Sequence, residues 1–418
     1  MTNTFFRARY LISSYLPLEQ AAAVLAGEQS SGTFTRVRDE SAELKARHGA
    51  RVVGLTPVEP PLEQLPGALN PNRRSTPDAA LLDIDFPVEN IGTSLPSLLN
   101  TVAGNLYELR EFAAVKLLDL EIPQPVLDRY PGPSAGIAGT SRLVSPDHRG
   151  AVVGTIVKPS VGLPLDKLGK LVEELALAGL DFIKDDELNA DPSYAPLADR
   201  IATVMPAIHR AAEITGKKTM YAFNISDDID VMLHNVELVQ AAGGTSVMVT
   251  VPTVGLPGLR AVRAATDLPI HGHRAGFEGF GRSNALGMDY TVFQKLARLA
   301  GADHLHVGGV NSKFFESNDS VLASIRAIQA PLGTTTPALP VLSSGQSAAT
   351  AQATYELVGS DQLMVLAGGG ITGHPDGPAA GVASMRSAWN AVADGRAVSD
   401  AAAEDQPLQS ALAAFGAR

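Results

Sequence analysis

From about residue 145 onward the chain alternates between two apolar patterns. Short β-branched runs end in polar residues or glycines, and alanine- and leucine-rich stretches with helical spacing follow them. Eight such runs occur, at 152–159 (VVGTIVKP), 180–187 (LDFIKDDE), 218–225 (KTMYAFNI), 245–252 (TSVMVTVP), 268–274 (LPIHGHR), 303–309 (DHLHVGG), 339–345 (LPVLSSG) and 362–368 (QLMVLAG). Parallel strands buried on both faces read as continuous apolar runs, and their alternation with helices predicts βαβ units. Eight units in about 230 residues predict a (β/α)₈ TIM barrel. Between the first two runs, Leu168, Leu171, Val172 and Leu175 fall at i, i+3, i+4 and i+7, one apolar stripe facing a sheet.

Residues 1–144 follow another rhythm, with strand-like segments at 6–12, 33–37, 51–58 and 81–87 and helical ones at 17–26, 95–103 and 109–118. This predicts a smaller α+β domain over 1–144, preceding a barrel domain over 145–418. The proline-rich segments Pro57–Pro66 and Pro123–Pro133 read as loops, the second also as a linker, and the tail from Val392 reads as helical.

Composition narrows the function. With 418 residues, 45% of them hydrophobic, the chain can bury a large core. A net charge of -11 disfavours general binding to nucleic acid or anionic membrane, so an anionic ligand must meet a local cluster of donors. Cysteine is absent, which excludes disulfides, thiolate metal sites and thiol catalysis and fits a cytoplasmic protein. Neither a signal-peptide pattern nor an apolar run of about 18 residues is visible.

A TIM barrel builds its active site at the C-terminal ends of its strands. Those ends carry Lys158; Lys184, Asp185, Asp186 and Glu187; Asn224; His271, His273 and Arg274; His306; Ser343; and Gly368 to Gly370. In Lys184-Asp185-Asp186-Glu187, strand alternation puts Lys184 and Asp186 on one face, and Glu187 can join them at the turn. Two carboxylates suit Mg²⁺, and CO₂ added to the lysine would supply a third anionic oxygen. Taken alone, the four residues read first as a salt-bridged strand end.

Lys158 closes the first run in an apolar setting, where an amine can carry protons. The histidines can serve as acid, base or donor, with Arg274 as an anion clamp, although a lone interior histidine is more often simply hydrogen-bonded. No third histidine or acid at a familiar metalloenzyme spacing points to zinc. Gly308-Gly309, Ser343-Ser344-Gly345 and Gly368-Gly369-Gly370 follow strands six, seven and eight, where barrels habitually bind phosphate through backbone N–H groups.

In order and spacing these motifs resemble the RuBisCO large subunit across nearly the whole chain. Those carrying the likeness are Gly154-Thr155-Ile156-Val157-Lys158-Pro159, Gly179 to Glu187, His271-Gly272-His273-Arg274-Ala275, Asp303-His304-Leu305-His306 with Lys313 seven residues on, Leu342-Ser343-Ser344-Gly345, and Gly368 to Pro375. The resemblance implies a carbamylated Lys184 that holds Mg²⁺ with Asp186 and Glu187. It implies catalytic roles for Lys158, Lys184, His273 and Lys313, the last on a mobile loop after strand six, and leaves open whether Lys158 or His273 carries the proton. Substrate and phosphate contacts follow for Arg274, His306, Ser343, Gly345, Gly368 and Gly369. The segment Glu28 to Thr35 and Gly104-Asn105 resemble parts lent by a partner subunit, which implies a homodimer whose sites are shared and include Glu28, Thr33 and Asn105.

Departures from carboxylases point away from CO₂ fixation. Lys158-Pro159-Ser160 lacks a second lysine, Phe34 replaces a tryptophan, Ser344 replaces a glycine, and Phe314 stands where carboxylases carry a smaller residue. What remains is a RuBisCO-like site for forming an enediolate from a small phosphorylated keto compound. The resemblance favours decarboxylation or transcarboxylation/hydrolysis of 3-oxo-isoapionate 4-phosphate. The alternatives are enolisation of a diketo methylthiopentyl phosphate in methionine salvage and a non-catalytic regulatory role.

Overall fold

The computed structural model describes residues 4–32 and 37–416 and resolves into two compact units. The first takes in the chain up to Tyr130 together with Gly276–Leu296 and Leu332–Thr334; the second holds the remainder.

The first unit is built on a mixed sheet of five strands: β1 (Phe5–Ser14), β2 (Arg51–Val58), β3 (Asp78–Pro87), β4 (Ala114–Glu121) and a fifth from Leu286–Met288. In spatial order the late strand lies outside β4, followed by β1, β3 and β2. β1 runs antiparallel to both β3 and β4, and alternation sets its faces, with Phe6, Ala8, Tyr10 and Ile12 buried. Helix Leu95–Ala103 starts where the Ser94 hydroxyl accepts the Ser97 N–H, with Pro96 in its first turn. It anchors to β1 through the Tyr10 hydroxyl, which donates to the Val102 carbonyl.

Two expectations need correction here. The helix expected over 109–118 is instead β4, whose residues Ala114 to Leu117 are all buried. A run buried on both faces has no period by which helix and strand can be told apart. The loop expected over Pro123–Pro133 contains a short helix, Gln124–Leu127. Residues 33–36, which include most of an expected strand, lie outside the described residues.

In the second unit the eight predicted runs form a closed parallel barrel. Its strands are β5 (Val152–Ile156), β6 (Phe182–Lys184), β7 (Met220–Asn224), β8 (Ser246–Thr250) and β9 (Ile270–His273), then, after the late sheet strand β10 (Leu286–Met288), β11 (His304–Gly308), β12 (Leu339–Leu342) and β13 (Met364–Leu366). β13 pairs with β5 and closes the ring. Helix Leu165–Leu177 buries Leu168, Val172 and Leu175 as its spacing requires. It stops at Gly179, whose positive φ of 80° lets Leu180 N–H reach back to the Leu175 carbonyl.

The barrel interior is layered. Phe182 is fully buried among Val152, Met220, Met248, Met364 and Leu366, an apolar floor beneath the polar strand ends. At the opposite ends of the strands, buried Asp181 accepts from Val153 N–H and from Arg386, and buried Asp303 accepts from Gly136 N–H, Ile270 N–H and Arg263. Polar groups on that face stabilise rather than react.

Because Phe182 fills the floor, Phe182→Ala should cost about 3–5 kcal/mol through the cavity it leaves. Urea unfolding of both proteins, read as the shift in midpoint, measures this; a loss within experimental error would mean that the floor repacks.

Candidate active site

β6 brings Lys184 to the barrel mouth in register with Ile156 of β5 and Ala222 of β7. Its side chain is 1% exposed, and Nζ donates to the Asp185 carbonyl at 2.9 Å and to Glu187 Oε2 at 3.3 Å. Asp186 is equally buried and receives the Lys158 ammonium at 2.7 Å, while a second Lys158 hydrogen bond goes to Ser160 Oγ at 2.7 Å. Two lysines from adjacent strand ends thus face two carboxylates. Burial holds the Lys184 amine below the usual lysine range, against the opposing pull of Glu187 and Asp186. Burial alone would raise Glu187, the largest single influence, but the charge and hydrogen bond of Lys184, a backbone hydrogen bond and the charge of Lys158 together hold the carboxyl below the usual range.

A second layer fixes this turn. Asp185, fully buried, accepts from the Tyr221 hydroxyl at 2.6 Å, from Asn224 N–H at 2.9 Å and from Arg200 at 3.2 Å. Asn224 Nδ2 then donates to the carbonyls of Asp186 (3.2 Å) and Glu187 (3.3 Å). Arg200 and Tyr221 escaped the sequence reading. Arg200 looks like any surface cation of an amphipathic helix, and Tyr221 like an ordinary strand residue.

Three histidines lie on the other side of the mouth, and a fourth, His304, sits below them at the start of β11. His271 Nε2 lies 2.9 Å from His306 Nε2, whose Nδ1 lies 3.1 Å from Ser343 Oγ. His304 Nε2 meets Thr140 Oγ1 at 2.8 Å, and His273 Nε2 lies 3.4 Å from Glu187 Oε2 while its Nδ1 accepts from Ala275 N–H. Burial is the first cause that holds all four below the ordinary histidine range, His304 at about 3. At neutral pH the cluster is therefore uncharged.

Arg274, expected as an anion clamp, is engaged by the Glu316 carboxylate in a two-pronged pair whose side chains are 10% and 5% exposed. Glu316 lies on the loop after β11, and an added Cβ at Gly308 would meet its Oε2 at 3.1 Å. Lys313, on the same loop, is exposed with Nζ 5.6 Å from the Phe314 ring centre. Among the described residues no hydrogen bond or ion pair joins it to the strand-end cluster.

Gly368 lies against Lys158, since a Cβ there would come within 3.5 Å of Lys158 Cε, whereas one on Gly369 would meet nothing within 4 Å. Gly345 is exposed at a φ of 83°, and Ser344 adopts the left-handed φ of 74° that glycine tolerates more easily, with its Oγ buried and without a partner. Glu28 and Asn105 are exposed residues of the first unit. With its amide oriented to suit both neighbours, Gln29 bridges their segments, donating to Thr101 O and accepting from Asn105 N–H. Thr33 lies outside the described residues.

The neutral histidines generate a pH prediction. Below about pH 6.5 the unfolded chain takes up protons that the buried rings refuse, so each such ring removes about 1.4 kcal/mol of stability per pH unit. Stability should be full above that pH and fall steadily toward pH 5. His304→Gln removes one titrating ring and should make the decline shallower by about one proton, as read from urea unfolding at several pH values; equal slopes would show that burial of His304 is not responsible.

With this geometry in place, the comparisons with known proteins are consistent across both units. The family models for the ribulose bisphosphate carboxylase large chain match residues 13–126 (N-terminal domain) and 127–415 (catalytic domain). A 3-oxo-isoapionate-4-phosphate transcarboxylase/hydrolase of Xanthobacter autotrophicus is 46% identical, covering 94% of this chain and 95% of the relative. A 3-oxo-isoapionate-4-phosphate decarboxylase of Rhizobium etli is 38% identical over 97% of both chains. The crystal structure of a rubisco-like protein from Burkholderia fungorum superposes with a TM-score of 0.90 at 40% identity, covering 98% of this chain and 99% of the other. The chain belongs to the ribulose bisphosphate carboxylase large-chain family, on its RuBisCO-like branch.

Proposed function

We propose that the protein is a Mg²⁺-dependent lyase that removes the carboxyl group of 3-oxo-isoapionate 4-phosphate, by decarboxylation or by transcarboxylation/hydrolysis. The observation that carries the reading is a buried lysine amine set between two carboxylates at the mouth of a barrel. Among the described residues no three histidines, aspartates or glutamates are placed to hold a metal ion, so Asp186 and Glu187 need a third anionic oxygen. A carbamate on Lys184 provides one: the amine attacks CO₂, a C–N bond forms, and a proton leaves. The donor set then fits Mg²⁺, held by Asp186, Glu187 and the modified Lys184. When bound, the ion supplies Lewis acidity at the keto oxygen of the substrate.

The remaining chemistry belongs to the chain. A 3-oxo acid loses CO₂ when the bond to its carboxyl carbon breaks and the electron pair becomes the double bond of an enediolate. Lys158, hydrogen-bonded to both Asp186 and Ser160, then gives its proton to the carbon that lost CO₂. His273 is less suited to this step, because Ala275 N–H occupies its Nδ1 and Nε2 faces Glu187. His306 and Ser343 line the opposite rim, and Gly345, Gly368 and Gly369 leave room for backbone donors to approach the phosphate. Lys313 on its loop covers the bound substrate.

A second copy of the chain completes each site with Glu28, Thr33 and Asn105. The resemblance to family segments lent by a partner supports this, as does the joining of the Glu28 and Asn105 segments through Gln29. Among the described residues no helix is long and apolar enough to cross a membrane, and a phosphorylated substrate, which does not cross membranes freely, supports a cytoplasmic reaction.

The test offers the purified protein, with Mg²⁺ and bicarbonate, 3-oxo-isoapionate 4-phosphate and the diketo methylthiopentyl phosphate side by side. CO₂ should be released from the first, and Lys158→Met should lower turnover by roughly 10²–10⁴-fold while leaving Mg²⁺ binding intact. Lys184→Met should abolish Mg²⁺ activation. Enol absorbance from the second compound alone would replace this reading with an enolase, and silence with both would leave a RuBisCO-like site that acts on neither compound.

Sharing of the site has its own test. Mixing Lys184→Met with Glu28→Gln subunits, each inactive alone, should restore up to about a quarter of wild-type activity, because each mixed dimer keeps one intact site. No recovery after verified subunit exchange would mean that each chain builds its site alone.

A further inference from the structure

The four barrel histidines are connected in a way that fixes which ring nitrogen carries each proton. His273 Nδ1 accepts from Ala275 N–H, so its proton is on Nε2. The Thr140 hydroxyl donates to the Gly136 carbonyl at 2.6 Å, so its oxygen accepts from His304, whose proton is also on Nε2. His271 Nδ1 is buried without a hydrogen-bond partner. A buried N–H without an acceptor is rarer and costlier than a bare lone pair, so the His271 proton also belongs on Nε2.

His271 Nε2 then donates to His306 Nε2 at 2.9 Å, which forces the His306 proton onto Nδ1. That N–H points at Ser343 Oγ, 3.1 Å away. With its oxygen accepting from His306, and no other hydrogen bond to Oγ among the described residues, the Ser343 hydroxyl is free to aim its proton at the barrel mouth. We propose that His271 sets the tautomer of His306 and thereby makes Ser343 an outward hydrogen-bond donor to an anionic group of the substrate. His271 is fully buried and acts only through its neighbour, so it is a positioning residue. Rotating the chain of protons the other way would leave a buried N–H on His271 without an acceptor and draw the Ser343 proton inward, presenting a lone pair to an anion.

The donor role rests on the reading that Ser343 meets the phosphorylated substrate; the proton order does not. Burial keeps His271 and His306 neutral, as the order requires.

The test is long-range ¹⁵N–¹H correlation spectroscopy of the full-length protein carrying ¹⁵N-histidine, combined with titration by inorganic phosphate. Wild type should show His306 alone of the four as the Nδ1–H tautomer. In His271→Phe the donor that enforces Nδ1–H on His306 is gone, so a share of Nε2–H should appear and phosphate affinity should fall, by up to about tenfold, the loss expected for one hydrogen bond to a charged group. Ser343→Ala should lose that affinity in wild type and only the remainder of it in His271→Phe. His271→Gln, whose amide N–H replaces Nε2–H, should keep both the tautomer and the affinity, and it separates the proposal from simple misfolding. An Nε2–H His306 in wild type, an unchanged tautomer in His271→Phe, or a changed tautomer with unchanged phosphate affinity would each overturn the proposal. A wild type with the expected tautomer and phosphate binding that turns over no keto sugar phosphate would remove the proposed reaction and leave this proton order standing.

Discussion

Placing the ammonium of Lys184 at the end of a barrel strand, with almost none of its side chain in water, demands counter-charge beside it. Desolvating an ion costs several kcal/mol even after relaxation, and only close, well-oriented partners recover it. Asp186, buried, and Glu187, partly exposed, are those partners, but two carboxylates beside one lysine leave an excess of negative charge. Lys158 offsets it from the neighbouring strand. The turn that carries these groups has no regular backbone pairing of its own, so Asp185 and Asn224 brace it through Tyr221 and Arg200. Much of the polar architecture of this half of the mouth follows from one lysine.

The histidine side of the mouth solves the opposite problem. Its rings lie over the apolar floor, with Phe182 5.3 Å from His271 and 5.7 Å from His304 between ring centres, where a charged imidazole would be costly. Neutral rings make order possible, since each has one donor and one acceptor and a chain of them runs in a single direction. One half of the mouth is therefore organised by charge and the other by proton position. Arg274 is matched to Glu316, and its charge also helps to keep His273 and His306 neutral.

The sequence was most legible where a pattern is local. Continuous apolar runs marked all eight barrel strands, because strands buried on both faces have little choice of composition. The same property misled at 109–118, where a fully buried strand carried no alternation to identify it. Lys184, Asp186 and Glu187 could be found because strand ends of a barrel converge, so position alone grouped them. Arg200, Tyr221 and Glu316 could not. Each acts through a partner between 15 and 42 residues away, and nothing in its own neighbourhood distinguishes a buried cation or carboxylate from a solvated one.

The late sheet strand has a consequence for how the molecule is made. β10 pairs with β4 in parallel, Leu286 opposite Val115 and Met288 opposite Leu117, yet it is encoded after five of the eight barrel strands. During synthesis the N-terminal sheet can assemble β1 to β4 early, but its edge at β4 stays open until residue 288 has left the ribosome. An unpaired β4 is a template for any extended strand nearby, including one from a neighbouring nascent chain. The chain order thus leaves a window in which the first sheet is folded but unsealed, and the length of that window is set by translation rather than by the stability of the finished protein.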